Sequence, residues 1–269
     1  MLIRVGFDIQ FQILTPSQAL FALSLHPSRD ASVRQPERLQ VEGAGTVNSF
    51  TDHFGNRCGS ATFAPGPIRF TNDAVVEDNG LPDAVDWNAP AHLLTELPPE
   101  CLQFLLSSRY CEVDSELNNL AWSLFATAQP GWPTVQAICD YVHRHLSFDY
   151  QLARNTRTAV EAHRERTGVC RDFMHLAITF CRCMNIPARY ATGYLGDIGV
   201  PAAPYPMDFS AWFEVYLGHR WWTFDARHNE RRIGRVLMAT GRDAADVALT
   251  TLFGQNVLTK FHVWTDEVG

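Results

Sequence analysis

Residues 166–176, "RTGVCRDFMHL", form the stretch on which the predicted fold depends. Cys170 stands two residues after Gly168, where a helical pattern begins. Apolar residues then recur at the three- and four-residue spacing of a buried helix, and Pro187 ends that helix: Phe173, Leu176, Ala177, Phe180, Cys181 and Met184. A cysteine at the start of such a helix is either a nucleophile or a small apolar core residue, and the rest of the chain has to distinguish the two.

Two predicted strands downstream provide the first argument for chemistry. Residues 208–217, "DFSAWFEVYL", and 220–227, "RWWTFDAR", are joined by Gly218-His219, which predicts a hairpin with a type II′ turn. In that register one face is almost entirely apolar and the other collects the polar residues. Ser210 and Asp225 are diagonal neighbours on the polar face, at the spacing of a base and the carboxylate that orients it.

The remaining chain predicts an α+β protein with two domains. Residues 1–95 contain short alternating runs broken by Gly, Asn, Asp and Pro, which is typical of an antiparallel β-sandwich. Within it, "HFGNR" at residues 53–57 indicates a turn between two strands. Residues 96–269 form the second domain, in which helices over 115–129 and 134–147 and the helix after Cys170 pack on an antiparallel sheet.

Composition excludes several classes of protein. Of 269 residues, 46% are hydrophobic and 19% are charged, which suits a globular protein with a large core. The net charge of -7, without any basic run, argues against a nucleic-acid partner. No stretch approaches the roughly 18 apolar residues of a membrane span, and the alternating N-terminus does not resemble a signal peptide. We therefore expect a protein without a membrane or nucleic-acid partner.

The seven cysteines suggest reduced thiols rather than disulfides or metal ligands. Their odd number and wide spread in a long chain favour a cytoplasmic protein. Cys181 and Cys183 diverge by about 200° on the predicted helix, so they do not form half of a metal site. No calcium-binding loop is present. We expect neither a metal nor a cofactor.

Three ordered motifs resemble the bacterial transglutaminase-like superfamily, whose core is similar to papain. The run G-V-C-R-D-F at residues 168–173 resembles its nucleophile motif, and the two hairpin strands resemble the motifs that bring a His and an Asp. The β-rich first third, with "HFGNR", resembles the N-terminal domain often attached to that core. The resemblance covers nearly the whole chain and implies Cys170 as nucleophile and Asp225 as the orienting acid.

The middle member of the resemblance is missing, because Ser210 stands where the family usually has histidine. A serine hydroxyl cannot accept a thiol proton as imidazole does. His228 is an alternative base, but parity along a regular strand puts it on the wrong face unless the strand ends or bulges first. We expect His175 to be a buried structural residue, and His219 lies in the turn at the far end of the hairpin.

Two hypotheses would allow chemistry at Cys170 without a histidine. The amides and dipole of the helix N-terminus could lower the thiol pKa by about one unit or more. Alternatively, a water held by Ser210 and Asp225 or Asp208 could relay the proton.

Four further residues are candidates for substrate binding. Trp212 and Tyr216, on the polar face, would line a substrate cleft or pack beneath the N-terminal domain. Tyr150 and Gln151 could provide an oxyanion donor.

The resemblance implies thiol-based acyl chemistry on a peptide, a protein or a small amide or ester. Cys170 would form a thioester, which water would hydrolyse (peptidase or amidase) or an amine would capture (acyl transfer). The alternative is a non-catalytic binding scaffold, or a chain inactivated by an engineered His-to-Ser change, and Ser210 is the feature that favours it. The oligomeric state is left open.

Overall fold

The computed structural model describes residues 1–268 and contains three main antiparallel sheets. The first half supplies seven strands, in which apolar residues alternate with polar ones: β1 Leu2–Ile13, β2 Ser17–Phe21, β3 Val33–Gln35, β4 Gln40–Glu42, β5 Ala44–Thr51, β6 Arg57–Phe63 and β7 Gly66–Glu77. The "HFGNR" segment lies at the turn between β5 and β6, as predicted, with Gly55 at a φ of 86°.

Helices dominate the middle of the chain. They are α1 Pro99–Leu102, α2 Glu116–Phe125, α3 Trp132–His145, α4 Ala159–Glu165 and α5 Cys170–Cys183. Short 3-10 helices occupy Pro27–Ser32, Leu94–Glu96, Gln103–Leu105 and Tyr150–Leu152. Within residues 1–268 no helix is both long enough and apolar enough to cross a membrane.

The remaining strands belong to the second half. They are β8 Ser147–Phe148, β9 Thr167–Gly168, β10 Ala188–Leu195, β11 Ser210–Leu217, β12 Arg220–Phe224, β13 Arg235–Gly241, β14 Thr250–Phe253 and β15 Asn256–Val268. The core sheet has the order β12-β11-β10-β13, and β8 and β9 form a separate parallel pair. Helix α5 is buried from Asp172 to Cys183 and packs against α2, α3 and α4 on one side and β10 and β11 on the other.

Two sheets face each other as a sandwich with its own apolar core. One has the order β15-β1-β7-β3, with β4 also on β7, and the other β14-β2-β6-β5. The predicted boundary at residue 95 does not describe these sheets, because β14 pairs with β2 and β15 pairs along all of β1. The end of the chain therefore completes the sandwich, since both β1 and β2 would otherwise be left with an unpaired edge.

The hairpin register predicted from the sequence is confirmed, and its turn type is not. Leu217 faces Arg220 and Glu214 faces Thr223, as expected. Gly218 and His219 both have positive φ, 55° and 65°, which is a type I′ turn rather than type II′. Its twist matches that of the strands, and histidine is among the residues that tolerate the left-handed region best.

Candidate active site

Cys170 is the first residue of α5, and its neighbours in sequence explain why the helix begins there. One carboxylate oxygen of Asp172, Oδ2, accepts the Val169 N–H at 3.0 Å and the Arg157 Nη1 at 3.0 Å. Both charged side chains are buried. A Cβ at Gly168 would lie 2.6 Å from the Asp172 Cβ, so the glycine allows the aspartate to fold back over the first turn.

The Cys170 side chain borders an open cavity of about 760 Å³. Asp208 and Ser210, at the start of β11, border the same cavity, as does Tyr190 on β10. Another wall is the segment 244–251, which leads from β13 into β14. The cavity therefore lies where the helical core, the core sheet and the returning end of the chain meet.

Burial controls the acidity of Cys170. It raises the pKa of the thiol to about 11, although the positive charge of Arg227 opposes the shift. The hypothesis of a thiolate made stable by the helix N-terminus alone is therefore not supported. Desolvation of the sulfur outweighs the helix amides.

Asp225 follows directly after β12 and is saturated with donors. Its Oδ1 accepts the backbone N–H groups of Arg227 and His228, each at 3.0 Å. Its Oδ2 accepts from His228 Nδ1 at 2.8 Å and Arg235 Nη2 at 3.0 Å. Burial would raise the pKa of Asp225, but the Arg235 charge and the His228 hydrogen bond outweigh it and hold the pKa below its usual value.

His228 lies at the site because β12 ends early. The exception to strand parity that the sequence analysis named applies here, since regular structure stops at Phe224 and the following turn brings the imidazole back to Asp225. An ionised carboxylate on Nδ1 favours the proton there, so in the neutral ring Nε2 is the acceptor nitrogen. His228 also borders a small cavity together with Asp208, Ser210 and Tyr150.

Ser210 is not bonded to Asp225. Its hydroxyl is buried and has no hydrogen-bond partner in the part of the chain that the structure describes, residues 1–268. The four donors on Asp225 leave no place for the predicted relay through a water shared with Ser210. Asp208, whose pKa is raised by burial, remains on the wall that Ser210 and Cys170 share.

Two predicted substrate-binding residues lie elsewhere, because other segments of the chain cover the polar face of the hairpin. Trp212 is buried, and the guanidinium carbon of Arg235 lies 5.2 Å from the centre of its ring. The side chain borders a groove lined also by residues 28–29 and 78–85. Tyr216 packs with Leu97 and Cys101. Neither borders the Cys170 cavity, so the alternative of packing describes them better.

Tyr150 and Gln151 separate in the structure. Tyr150 borders the small cavity beside His228, and burial, with the charges of Asp208 and Cys170, raises its pKa to about 12. Gln151 is exposed and donates its backbone N–H to Asp149 Oδ1 at 2.8 Å, so Asp149 caps the short 3-10 helix. Its side chain borders neither cavity.

His175 is the structural residue that the sequence predicts. It is fully buried, stacks on Tyr110 at 4.9 Å and accepts the Ala244 N–H at 3.1 Å. Burial lowers its pKa well below the usual value, so the ring is neutral.

Arg235 and Asp83 are functional candidates that sequence reasoning missed. Arg235, on β13, bridges Asp225 and Asp83 with distances of 3.0 Å to each. Asp83 lies in the segment that leaves the sandwich, 152 positions away, and no local pattern links the two. The sequence showed Arg235 only as a charged residue in a strand with alternating burial, which did not indicate its partners.

Comparison with known proteins places this geometry in a family. The transglutaminase-like superfamily profile matches residues 118–226, which include Cys170, Ser210 and Asp225. A solved structure from Cytophaga hutchinsonii, provisionally named a cysteine protease, is 30% identical, with a TM-score of 0.85 over 99% of this chain and 90% of its own. The chain belongs to the transglutaminase-like superfamily. The α+β fold predicted from the sequence is thereby confirmed.

Mycobacterial relatives of this transglutaminase-like chain are longer. An uncharacterized protein of Mycobacterium leprae is 33% identical over 94 residues, which is 34% of this chain and 33% of the relative. An uncharacterized protein of Mycobacterium bovis is 27% identical over 202 residues, 67% of this chain and 62% of the relative. The chain thus matches a third to three-fifths of the length of these relatives.

Proposed function

We propose that this protein carries out cysteine acyl chemistry on an amide or ester, with Cys170 as nucleophile and His228 as base. The observation that carries the proposal is the Asp225–His228 hydrogen bond of 2.8 Å beside the wall shared with Cys170. Membership of the superfamily and the likeness to the Cytophaga protein support it. The proposed substrate is a peptide, a protein or a small amide or ester.

His228 would take the role that histidine in the second motif has elsewhere in the family. Asp225 holds the proton on Nδ1, so Nε2 accepts the Cys170 proton, directly or through a water beside Ser210. The pKa of about 11 for the thiol makes such a base necessary at neutral pH. Proton transfer and attack on the carbonyl would therefore occur together.

The acyl group would then pass through two steps. The sulfur attacks the carbonyl carbon, and the tetrahedral oxyanion lies against the free amides at the N-terminus of α5. Collapse breaks the bond to the leaving amine or alcohol, which takes its proton from His228. Water, deprotonated by the same nitrogen, hydrolyses the thioester and releases an acid, and an amine in place of water would give acyl transfer.

A binding scaffold is the second candidate, and Ser210 favours it. The hydroxyl occupies the position of the usual base, and the raised pKa keeps the thiol protonated. On this alternative Cys170 would be a packing residue, and His228 would serve only to pair with Asp225.

Hydrolysis of p-nitrophenyl acetate at pH 8 tests the two candidates. We expect Cys170→Ala to remove turnover and the thioester adduct on the Cys170 peptide, which mass spectrometry detects after acid quench. His228→Gln should lower kcat/KM about 10²–10⁴-fold, the usual contribution of a general base.

His219→Gln is the matched control, because this imidazole lies exposed in the β11–β12 turn. It should change kcat/KM less than twofold. Turnover by Ser210→His alone, with the natural chain inactive, would establish the scaffold. Equal losses in His228→Gln and His219→Gln would remove His228 from the mechanism.

A further inference from the structure

Two arginines gather around one tyrosine on the wall of the Cys170 cavity. The guanidinium carbons of Arg109 and Arg171 lie 5.3 Å and 5.6 Å from the centre of the Tyr110 ring. His175 stacks on that ring at an interplanar angle of 9° and covers one of its faces. Both guanidinium groups therefore lie over the part of the Tyr110 ring that His175 does not cover, beside the cavity that both arginines border.

Neither arginine is fully neutralised by the protein. Within residues 1–268, Arg109 has no carboxylate oxygen within 4 Å, and the side chain is exposed. Asp243, a carboxylate whose charge acts on Arg109, accepts the backbone N–H groups of Tyr110 at 2.8 Å and Ala245 at 2.9 Å.

Arg171 donates from Nη2 to the backbone carbonyl of Arg154, but its ion pair is weak. Its carboxylate contact is Asp172 Oδ1 at 3.4 Å, whereas the other oxygen of Asp172 is held by Arg157 at 3.0 Å. The Arg171 Nε is buried and has no hydrogen-bond partner in residues 1–268. An anion between the arginines would accept hydrogen bonds from guanidinium N–H groups at the cavity and relieve the repulsion of two like charges.

Negative charge within the cavity lies at a different part of its wall. Asp208 is the one acidic side chain among the cavity-lining residues described, beside Ser210 and Cys170, and burial raises its pKa. The arginine side of the cavity is thus positive in a chain whose net charge is -7. A substrate with a carboxylate would be oriented by this difference, with its scissile bond toward Cys170.

We propose that Arg109 and Arg171 form a subsite for a carboxylate carried by the acyl substrate. The substrate class is then an amide or ester of a dicarboxylic acid, or a peptide with an acidic group close to the scissile bond. The acyl part of this assignment rests on the proposed function, but the binding of a carboxylate does not.

A matched pair of esters tests the substrate class. The p-nitrophenyl monoester of glutaric acid carries a carboxylate, and the corresponding ester of glutaramic acid carries a neutral amide of the same length. We expect the acid-to-amide ratio of kcat/KM to be well above one in the natural chain and to fall about tenfold in Arg109→Gln. Arg144→Gln, which removes an exposed arginine of α3, should leave that ratio unchanged.

Direct binding keeps the subsite testable if no ester is hydrolysed. Glutarate, titrated into the ¹⁵N-labelled chain, should shift the Nε–Hε signals of Arg109 and Arg171 saturably, and glutaramide should not. The apparent Kd should rise about tenfold in Arg109→Gln and stay constant in Arg144→Gln. Saturable shifts without ester turnover would retain the subsite and reject the enzyme, whereas equal responses to glutarate and glutaramide, or no response, would overturn the subsite.

Discussion

Cys170 is subject to two opposing effects at the scale of one residue. The helix N-terminus favours a thiolate, and the buried surroundings of the sulfur disfavour it. Burial dominates and raises the pKa to about 11. On the proposed function the thiol therefore needs a base, which is the role we propose for His228.

Alkylation of Cys170 by iodoacetamide provides a test of this balance. The thiolate fraction of a group with a raised pKa is small at neutral pH and grows as the pH rises. We expect the rate to increase about tenfold per pH unit from pH 7 to 10, without a plateau. Mass spectrometry of the Cys170 peptide measures the rate, and in urea the same peptide should level off above about pH 8.5. A plateau below pH 9 in the folded chain would contradict the raised pKa.

At the scale of elements, the short strand β12 and the next strand along the chain, β13, determine the surroundings of the Asp225 carboxylate. Because β12 ends at Phe224, the turn delivers two backbone N–H groups and His228 to Asp225. Arg235 approaches from β13 and neutralises the buried carboxylate. Removal of Arg235 would leave the buried Asp225 carboxylate without its arginine partner, and its other donors would not replace that positive charge.

Arg235→Met should therefore lower the free energy of unfolding by about 3–5 kcal/mol at pH 7. The lowered pKa of Asp225 contributes stability above its unfolded value near 3.9, and this is lost as the pH falls toward the folded value. The difference in the free energy of unfolding between the natural chain and Arg235→Met should consequently narrow below about pH 4. Urea denaturation across pH measures both effects.

Arg164→Met is the control for that measurement. Arg164 pairs with Glu116 at 2.7 Å, but both side chains are more than half exposed, at 63% and 54%. Solvent screens an exposed pair of this kind, so its removal should change the free energy of unfolding much less than the Arg235 substitution. Equal losses in the two variants would show that burial does not strengthen the Arg235 contact.

At the scale of the whole molecule, the sandwich and the core are joined through both ends of the chain. The strands β14 and β15 return to β2 and β1. In addition, the fully buried Asn56 pairs its side-chain amide with the backbone N–H and carbonyl of Thr240, each at 2.8 Å. The amide thus takes the place of a neighbouring strand beside β13.

Asn56→Ala should destabilise the whole chain. It leaves two buried backbone groups of Thr240 without partners, at about 1–3 kcal/mol for each. Denaturation followed by tryptophan fluorescence should show an earlier midpoint. Asn256→Ala, which removes an exposed bond to the Gly254 carbonyl, should change stability by less than about 0.5 kcal/mol. Matching midpoints for the two variants would mean that the Asn56 contact is not needed.

Local patterns were sufficient to predict most elements of this fold. The period of the apolar residues predicted α5 and the helices before it, and the Gly-His pair predicted the hairpin register to the residue. The predicted type II′ turn was wrong because Gly218 and His219 both adopt the left-handed backbone conformation of a type I′ turn. The twist of the two strands favours that conformation, and composition does not reveal it.

The sequence alone determined the position of Cys170 and the apolar face of the hairpin, since each depends on spacing within about twenty residues. The order of the three motifs along the chain carried the resemblance to the superfamily. Only tertiary structure decided which groups meet there. His228 reaches Asp225 because a strand stops, Arg235 meets Asp83 across 152 positions, and two arginines share one tyrosine at the cavity. Such contacts arise from how separate elements pack, and the period of a single element carries no information about them.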